Sequence, residues 1–181
     1  MTKTIAIISL WRDSQTYIHT SLNQLSTQEY ELGSDYSFFY SFYENDSVDD
    51  TSKILREWLE DRQGILLTQK LNHPKWESVP SITRTEAMAQ YRNICLYALR
   101  DRKYDYLFII DSDIYYDKDL FKSMIHLIDN NQTYGMLTPN TQQNVSDKFD
   151  LNKSTSYYDS WALKDLQGNK GLSFSYNPFV M

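Results

Sequence analysis

Short apolar runs alternate with segments of helical periodicity through the first three quarters of the chain. The apolar runs have the length of buried strands, and they predict strands over Thr4–Leu10, Tyr36–Tyr43, Ile65–Leu67, Tyr104–Ile110 and Tyr134–Thr138. Between them, apolar residues recur every three or four positions, which predicts helices over Gln15–Gln28, Asp50–Arg62, Arg84–Arg100 and Asp117–Asp129. This alternation indicates an α/β domain with a mostly parallel central sheet and right-handed crossovers.

Two of these elements carry further signals. Thr83 and Glu86 have the spacing of a capping box, which predicts that the third helix starts there. The run that ends at Ile110 is apolar without alternation, as is typical of a strand buried on both faces. In sheets of this class ligands bind beyond the carboxyl ends of the strands, so we expect the chemistry in the loops that follow them.

The sequence changes character after Pro139. Residues Asn140–Ser156 are polar with almost no periodicity, which predicts a loop, whereas Tyr157–Leu166 returns to aromatic and apolar residues. No internal repeat or linker separates the two parts. We therefore predict a single domain over residues 1–181.

Composition and charge exclude several classes of protein. The chain has 181 residues, 41% of them apolar, which suits one folded domain. With 18 Lys and Arg against 24 Asp and Glu, its net charge of −6 argues against a nucleic-acid partner. It has no apolar run long enough for a membrane span, and its first residues do not form a signal peptide, so we expect a cytoplasmic protein. A single cysteine, Cys95, excludes an intrachain disulfide.

The sharpest chemical signal is the pair of carboxylates in Asp111-Ser112-Asp113, directly after a predicted strand. Alternate strand residues point the same way, so both side chains are expected to converge at the end of that strand. Two carboxylates about 4 Å apart repel each other by about 4 kcal/mol, and a shared proton or a cation must offset this. Oxygen ligands favour Mg²⁺ or Mn²⁺. The alternative is a solvated turn that leads into the next helix.

Two other readings of the Asp-x-Asp pair fail. A calcium EF-hand loop that begins at Asp111 would need Gly at the position of Tyr116 and Glu at that of Lys122. An aspartyl phosphatase would carry its Asp pair after the first strand, with Thr or Val where this chain has Tyr115.

Two further segments lie near strand ends. Glu44–Thr51 is rich in carboxylate and amide groups that could bind a base edge or ribose hydroxyls, or could form a turn with Asp49 or Asp50 as a helix N-cap. Arg84–Asn93 supplies arginines that an acidic protein needs near a diphosphate, although each arginine could equally form a surface ion pair.

Four segments in this order resemble GT-A-fold glycosyltransferases, in particular the fungal capsule-associated mannosyltransferase group and its relatives in large algal viruses. They are Glu44–Thr51, Met88–Asn93, Tyr104–Asp113 and Tyr157–Asp165. The resemblance spans roughly residues 4–166. It implies a Rossmann-like nucleotide-diphospho-sugar transferase domain and transfer of a hexose from a UDP- or GDP-linked sugar to a glycan or glycoprotein acceptor. It also leaves open a virus-encoded enzyme acting in the host cytoplasm.

The resemblance implies roles for individual residues. Mn²⁺ or Mg²⁺ would bind Asp111 and Asp113, with Asp113 as the principal ligand. On the acceptor side, Tyr158 and Trp161 would contact the sugar, and Asp159 would take the acceptor's proton, with Asp165 as second choice. Residues 1–139 would bind the donor and 140–181 would form the acceptor side. The donor-binding residues would be Ser9, Arg12, Glu44, Ser47, Asp49, Arg84, Arg92, Asp111 and Ser112.

One feature departs from the family pattern. GT-A enzymes often take a further metal ligand, frequently His, from their C-terminal part, and this chain has no His after Trp161. Either carboxylates, phosphates and water complete the site, or the native protein continues beyond Met181 and the acceptor site here is incomplete. Two other functions stay open: a sugar-1-phosphate nucleotidyltransferase, and a non-catalytic domain that binds a nucleotide sugar or carbohydrate.

Overall fold

The computed structural model describes residues 2–76, 81–131 and 133–139, and the backbone of 142–143 and 156–157. The chain divides into two compact units, Met1–Gln132 and Thr133–Met181. In chain order the first unit contains β1 Lys3–Trp11, α1 Ile18–Leu32, a 3₁₀ turn Gly33–Asp35, β2 Tyr36–Asn45, α2 Thr51–Leu59, β3 Gly64–Gln69, α3 Ile82–Ala98, β4 Tyr106–Asp111 and α4 Leu120–Asp129.

The four strands form one sheet in the order β3-β2-β1-β4, and all of its pairings are parallel. The chain moves outward from β1 to β3 and then returns past β1 to form β4. The strand order therefore reverses between β1 and β4, which is where α/β sheets bind ligands. The predicted α/β class with a mostly parallel sheet is confirmed.

Two apolar clusters cover the two faces of the sheet. On one face, Ile5 and Ile7 of β1 belong to a cluster with residues of α1, α2 and α4. On the other face, Ala6 and Ile8 of the same strand belong to a cluster with residues of α3. Because alternate residues of β1 face opposite layers, the first strand is apolar throughout, as a central parallel strand requires.

Several predicted boundaries are wrong in the first unit. The third helix begins at Ile82, and its N-cap is Ser81, whose Oγ accepts a hydrogen bond from the backbone N–H of Arg84 at 3.1 Å. The predicted capping box of Thr83 and Glu86 therefore lies inside the helix. The fourth strand is also less buried than its apolar sequence indicates, because β4 is an edge strand of the described sheet and Ile109 is 55% exposed.

Among its described residues, the second unit has a short antiparallel pair, β5 Gln142–Gln143 with β6 Ser156–Tyr157. This pair lies at the ends of the segment predicted as a loop. The predicted strand over Tyr134–Thr138 is wrong, because these residues form no ladder in the described part of the chain, and Met136 is 80% exposed. No helix in the described ranges combines the length and apolar character that a membrane crossing needs.

Candidate active site at the carboxyl edge of the sheet

The polar segments singled out in the sequence meet at one edge of the sheet. In the strand register, Glu44 of β2 lies beside Trp11 of β1, and Asp111 of β4 lies beside Leu10 of β1. Glu44 and Asp111 thus flank β1 on opposite sides, about 10 Å apart by two strand spacings. A ligand that reached both would cross the end of β1, at the point where the strand order reverses.

A cavity of about 480 Å³ opens on the β2 side of this edge. We call it the β2–β3 cavity, because the ends of these two strands and the loops after them supply most of its wall. Its lining is mainly polar and carries both signs of charge, and it comprises Arg12, Glu44, Asp46, Ser47, Val48, Thr68, Gln69, Lys70, Asn72 and His73.

The Asp46 carboxylate holds the loop that forms one wall of this cavity, residues 70–76. Its Oδ1 accepts hydrogen bonds from the N–H groups of Leu71 and Asn72, each at 2.7 Å, and its Oδ2 accepts from that of His73 at 3.0 Å. Desolvation acts to raise the pKa of Asp46, but these bonds and one from the Asn45 side chain outweigh it and lower the pKa to about 2. The Asp46 carboxylate is therefore ionised, and three backbone N–H groups and the Asn45 side chain donate to it.

Asp46 reaches this loop from an unusual backbone conformation, with φ at 57°. Asp13 and Asn72, which lie in the neighbouring loops, also have positive φ, at 46° and 56°. Non-glycine residues rarely adopt this region, and they keep it where the surrounding contacts enforce it. All three are Asp or Asn, the non-glycine side chains that tolerate this region best, and all three lie in the loops around the β2–β3 cavity.

Arg12 holds the same loop from the side of β1. Its Nη2 donates to the carbonyl oxygen of His73 at 2.8 Å, and its Nη1 donates to that of Pro74 at 2.9 Å. The rigid guanidinium fork suits two neighbouring acceptors. Arg12 also lines the cavity, so part of this side chain faces any ligand there.

The predicted donor-binding residues of the β2 loop fall into two groups. Glu44 is only 5% exposed and lines the cavity with Ser47, whose N–H donates to Glu44 Oε1 at 2.9 Å. Asp49 does not line it. The Asp49 carboxylate accepts from the N–H groups of Gln15 and Thr51, each at 3.0 Å, and although burial opposes it, hydrogen bonding lowers the pKa of Asp49. Asp50 occupies the N-cap position of α2, but its side chain makes no capping bond.

The Asp-x-Asp pair lies at the end of β4, on the other side of β1. Asp111 Oδ1 accepts a hydrogen bond from Arg92 Nη2 at 2.7 Å, and both side chains are partly exposed. Asp113 is exposed, and its carboxylate has no hydrogen bond or ion pair with any described residue. Among the described residues of this edge, Asp113 is therefore a carboxylate with both oxygens available to a ligand.

Three other predicted donor residues, Ser9, Ser112 and Arg84, do not line the β2–β3 cavity. Ser9 lies within β1, is 3% exposed and lines a small cavity together with Asp111 and Ser112. Ser112 is also buried, and its carbonyl oxygen accepts from Ser21 Oγ at 2.6 Å. Arg84 lies in the first turn of α3, and its Nε is buried without a hydrogen-bond partner in the described part of the chain.

Sequence reasoning missed the residues that build the wall of the β2–β3 cavity. Besides Asp46, these include His73, whose Nδ1 lies 2.6 Å from the hydroxyl of Tyr91 in α3. The loop from 70 to 76 has no periodicity, so its sequence contains no sign of the long-range contacts that shape it. The acceptor-side residues Tyr158, Asp159, Trp161 and Asp165 lie outside the described residues.

Comparison with known proteins decides the family. A family model described as Cryptococcal mannosyltransferase 1 matches residues 4–180. The chain belongs to this family. The predicted resemblance to the capsule-associated mannosyltransferase group, and with it membership of a glycosyltransferase family, is thereby confirmed.

Solved structures of S. aureus TarS are similar to this chain at 20% identity. TarS 1-349 gives a TM-score of 0.49, with 73% of this chain and 33% of that chain covered. Its complex with UDP-GlcNAc gives 0.47, with 73% and 32% covered. A further TarS structure gives 0.48, with 72% and 20% covered. This chain thus spans a third or less of those structures, and no curated protein matches it.

Proposed function

We propose that this chain acts as a metal-dependent glycosyltransferase. It binds a nucleotide diphosphate sugar as donor and transfers the hexose to a glycan or glycoprotein acceptor. The observation that carries the proposal is the placement of two unlike polar regions on the two sides of β1. The β2–β3 cavity supplies carboxylate, hydroxyl and amide groups for a nucleoside. The Asp-x-Asp pair supplies free carboxylate oxygens on the other side of β1.

The residues at the end of β4 fit a hard divalent ion. The described residues contain no group of three His, Cys, Asp or Glu that could hold a metal ion, and what this edge offers is a pair of oxygen ligands, Asp111 and Asp113. Such a set suits Mg²⁺ or Mn²⁺, which keep several ligand positions for water and substrate phosphates. When bound, the ion would neutralise the charge that develops on the departing diphosphate.

The chain's own residues orient the donor in this proposal. Glu44 and Ser47 line the cavity and present hydrogen-bonding groups to the base or ribose. Arg92 holds the Asp111 carboxylate at 2.7 Å and keeps a partly exposed guanidinium next to the site. A uracil or guanine base in the donor stays a prediction. So does the assignment of Asp159, or else Asp165, as the carboxylate that takes the proton of the acceptor hydroxyl.

The first experiment is calorimetry with a panel of UDP- and GDP-hexoses, with and without Mn²⁺. We expect Asp113→Ala to weaken metal-dependent donor binding at least tenfold and to leave the melting temperature unchanged. Asp61→Ala removes another exposed carboxylate, far along the chain from this edge, and serves as the matched control. Equal donor affinity in Asp113→Ala and the wild type would refute the metal assignment.

Product analysis separates the proposal from a nucleotidyltransferase and from a non-catalytic domain. A glycosyltransferase releases a nucleoside diphosphate from its donor. A nucleotidyltransferase instead joins a nucleoside triphosphate to a sugar phosphate and releases pyrophosphate. Donor binding without release of the diphosphate, across a panel of glycan acceptors, would favour a binding domain.

A further inference from the structure

The backbone that follows Asp111 forms no regular secondary structure before α4. We call residues 112–119 the carboxylate loop, since Asp113 projects from it. An irregular segment packed against a protein needs partners for its N–H and C=O groups, because unpaired buried groups are costly. Here those partners come from the side chains of α1, about 90 residues earlier in the chain.

Three polar side chains of α1 make these contacts. Ser21 Oγ donates to the carbonyl oxygen of Ser112 at 2.6 Å. Gln24 Nε2 donates to the carbonyl oxygen of Ile114 at 3.2 Å, and Gln24 Oε1 accepts from the N–H of Tyr116 at 3.0 Å.

Gln28 extends the same pattern to the start of α4. Its Nε2 donates to the carbonyl oxygen of Asp117, and its Oε1 accepts from the N–H of Phe121, each at 3.0 Å. Gln28 is only 1% exposed, so this amide is committed to these two bonds. Ser21, Gln24 and Gln28 follow the i, i+3, i+7 spacing that places side chains on one stripe of a helix.

We propose that Ser21, Gln24 and Gln28 are positioning residues that fix the backbone of the carboxylate loop and so hold Asp113 ready for a divalent cation. Two of the bonds bracket Asp113 directly, since its neighbours Ser112 and Ile114 both give their carbonyl oxygens to α1. The metal part of this inference rests on the proposed function. The mechanical part, that α1 fixes the loop, stands on the contacts alone.

The chemistry of the three side chains is suited to this task. Each is neutral, so it can hold the backbone without neutralising the Asp113 carboxylate. A lysine or arginine in the same place would compete with a cation for that charge. A glutamine amide both donates and accepts, so Gln24 binds two points of the loop, whereas Gln28 binds the loop at Asp117 and the first turn of α4 at Phe121.

The test compares Gln24→Met with Asn23→Met. Gln24→Met removes both bonds at nearly constant side-chain volume and adds no charge, whereas Asn23 is exposed on the neighbouring position of α1 and serves as the matched control. The first readout is amide hydrogen exchange in the metal-free full chain. We expect the Tyr116 N–H to exchange at least tenfold faster in Gln24→Met, with no change in β2 or α3 and none in the control.

The second readout is Mn²⁺ affinity without a donor, measured by calorimetry. We expect the dissociation constant for Mn²⁺ to be five- to tenfold larger in Gln24→Met than in the wild type. The increase should be smaller in Ser21→Ala, which removes one hydrogen bond from a small side chain. Unchanged exchange at Tyr116 would overturn the positioning role. Faster exchange with unchanged Mn²⁺ affinity would overturn the link to the metal, and a wild-type chain that binds neither Mn²⁺ nor donor would overturn the proposed function instead.

Discussion

The two sides of β1 use acidic residues in opposite ways. On the β2 side, the carboxylates of Asp46 and Asp49 are occupied by backbone N–H groups, and hydrogen bonding lowers the pKa of both. On the β4 side, the Asp113 carboxylate has no partner in the described part of the chain, and neutral side chains of α1 hold its loop. The difference separates carboxylates that build the site from those that are free to bind a ligand.

Asp46→Ala tests this comparison with the largest expected effect. The substitution strips hydrogen bonds from three loop amides and places a less tolerant residue at φ 57°, so we expect the free energy of unfolding to fall by about 2 kcal/mol. Asp113→Ala should change the same quantity by less than about 0.5 kcal/mol. Urea unfolding of both variants measures the difference, and similar losses in the two would contradict the division of roles.

The pH dependence of stability tests the role of the Asp46 carboxylate. Because the pKa of Asp46 is lowered to about 2 in the folded state, its stabilising contribution is present above about pH 4 and is lost as the pH falls toward 2. The wild type should therefore exceed Asp46→Asn in stability by a constant margin above about pH 5. That margin should shrink between about pH 4 and 2. A margin that stays constant down to pH 2 would mean that the ionised carboxylate does not hold the loop.

Arg12→Lys tests the second side chain, after Asp46, that holds the 70–76 loop on the β2 side. A lysine ammonium cannot reproduce the fork that binds the carbonyl oxygens of His73 and Pro74, so we expect a loss of about 1 kcal/mol. Limited proteolysis should cut this loop faster in the variant. Lys53→Arg, on the exposed face of α2, is the control for the exchange of one cation for the other.

Arg92→Met should have the smallest effect on stability. The ion pair with Asp111 is partly exposed, with side-chain exposures of 36% and 55%, so its loss should cost less than about 0.5 kcal/mol. Without the guanidinium, the charge of Asp111 is no longer compensated. We therefore expect Mn²⁺ to bind a few-fold more tightly in the absence of donor, as measured by calorimetry, and weaker Mn²⁺ binding would oppose a ligand role for Asp111.

The sequence predicted the fold well where the pattern is local and periodic. Each strand of the four-stranded sheet and each helix that packs on it has a counterpart among the predicted elements, because a buried strand leaves a short apolar run and a half-buried helix leaves a three-to-four-residue repeat within a few neighbouring residues. The errors lie where a tertiary partner decides. Tyr134–Thr138 has strand-like residues but pairs with no strand in the described part of the chain, and the third helix took Ser81 rather than Thr83 as its cap.

The candidate site divides in the same way. The carboxylate pair at the end of β4 and the polar run at the end of β2 could be predicted from the sequence, since strand ends follow from the strand pattern and parallel strands share one carboxyl edge. Asp46, Asp49 and Asp113 look alike in the sequence. What distinguishes them is whether distant backbone N–H groups come within hydrogen-bonding distance.

The sequence by itself therefore determined the family, the order of the elements and the edge of the sheet where polar groups collect. Tertiary structure alone decided that the 70–76 loop folds onto Asp46 and Arg12, and that α1 supports the carboxylate loop through Ser21, Gln24 and Gln28. The physical reason is that a hydrogen bond between residues far apart in the chain leaves no periodic trace in either segment. It exists only once the sheet has brought the two segments together.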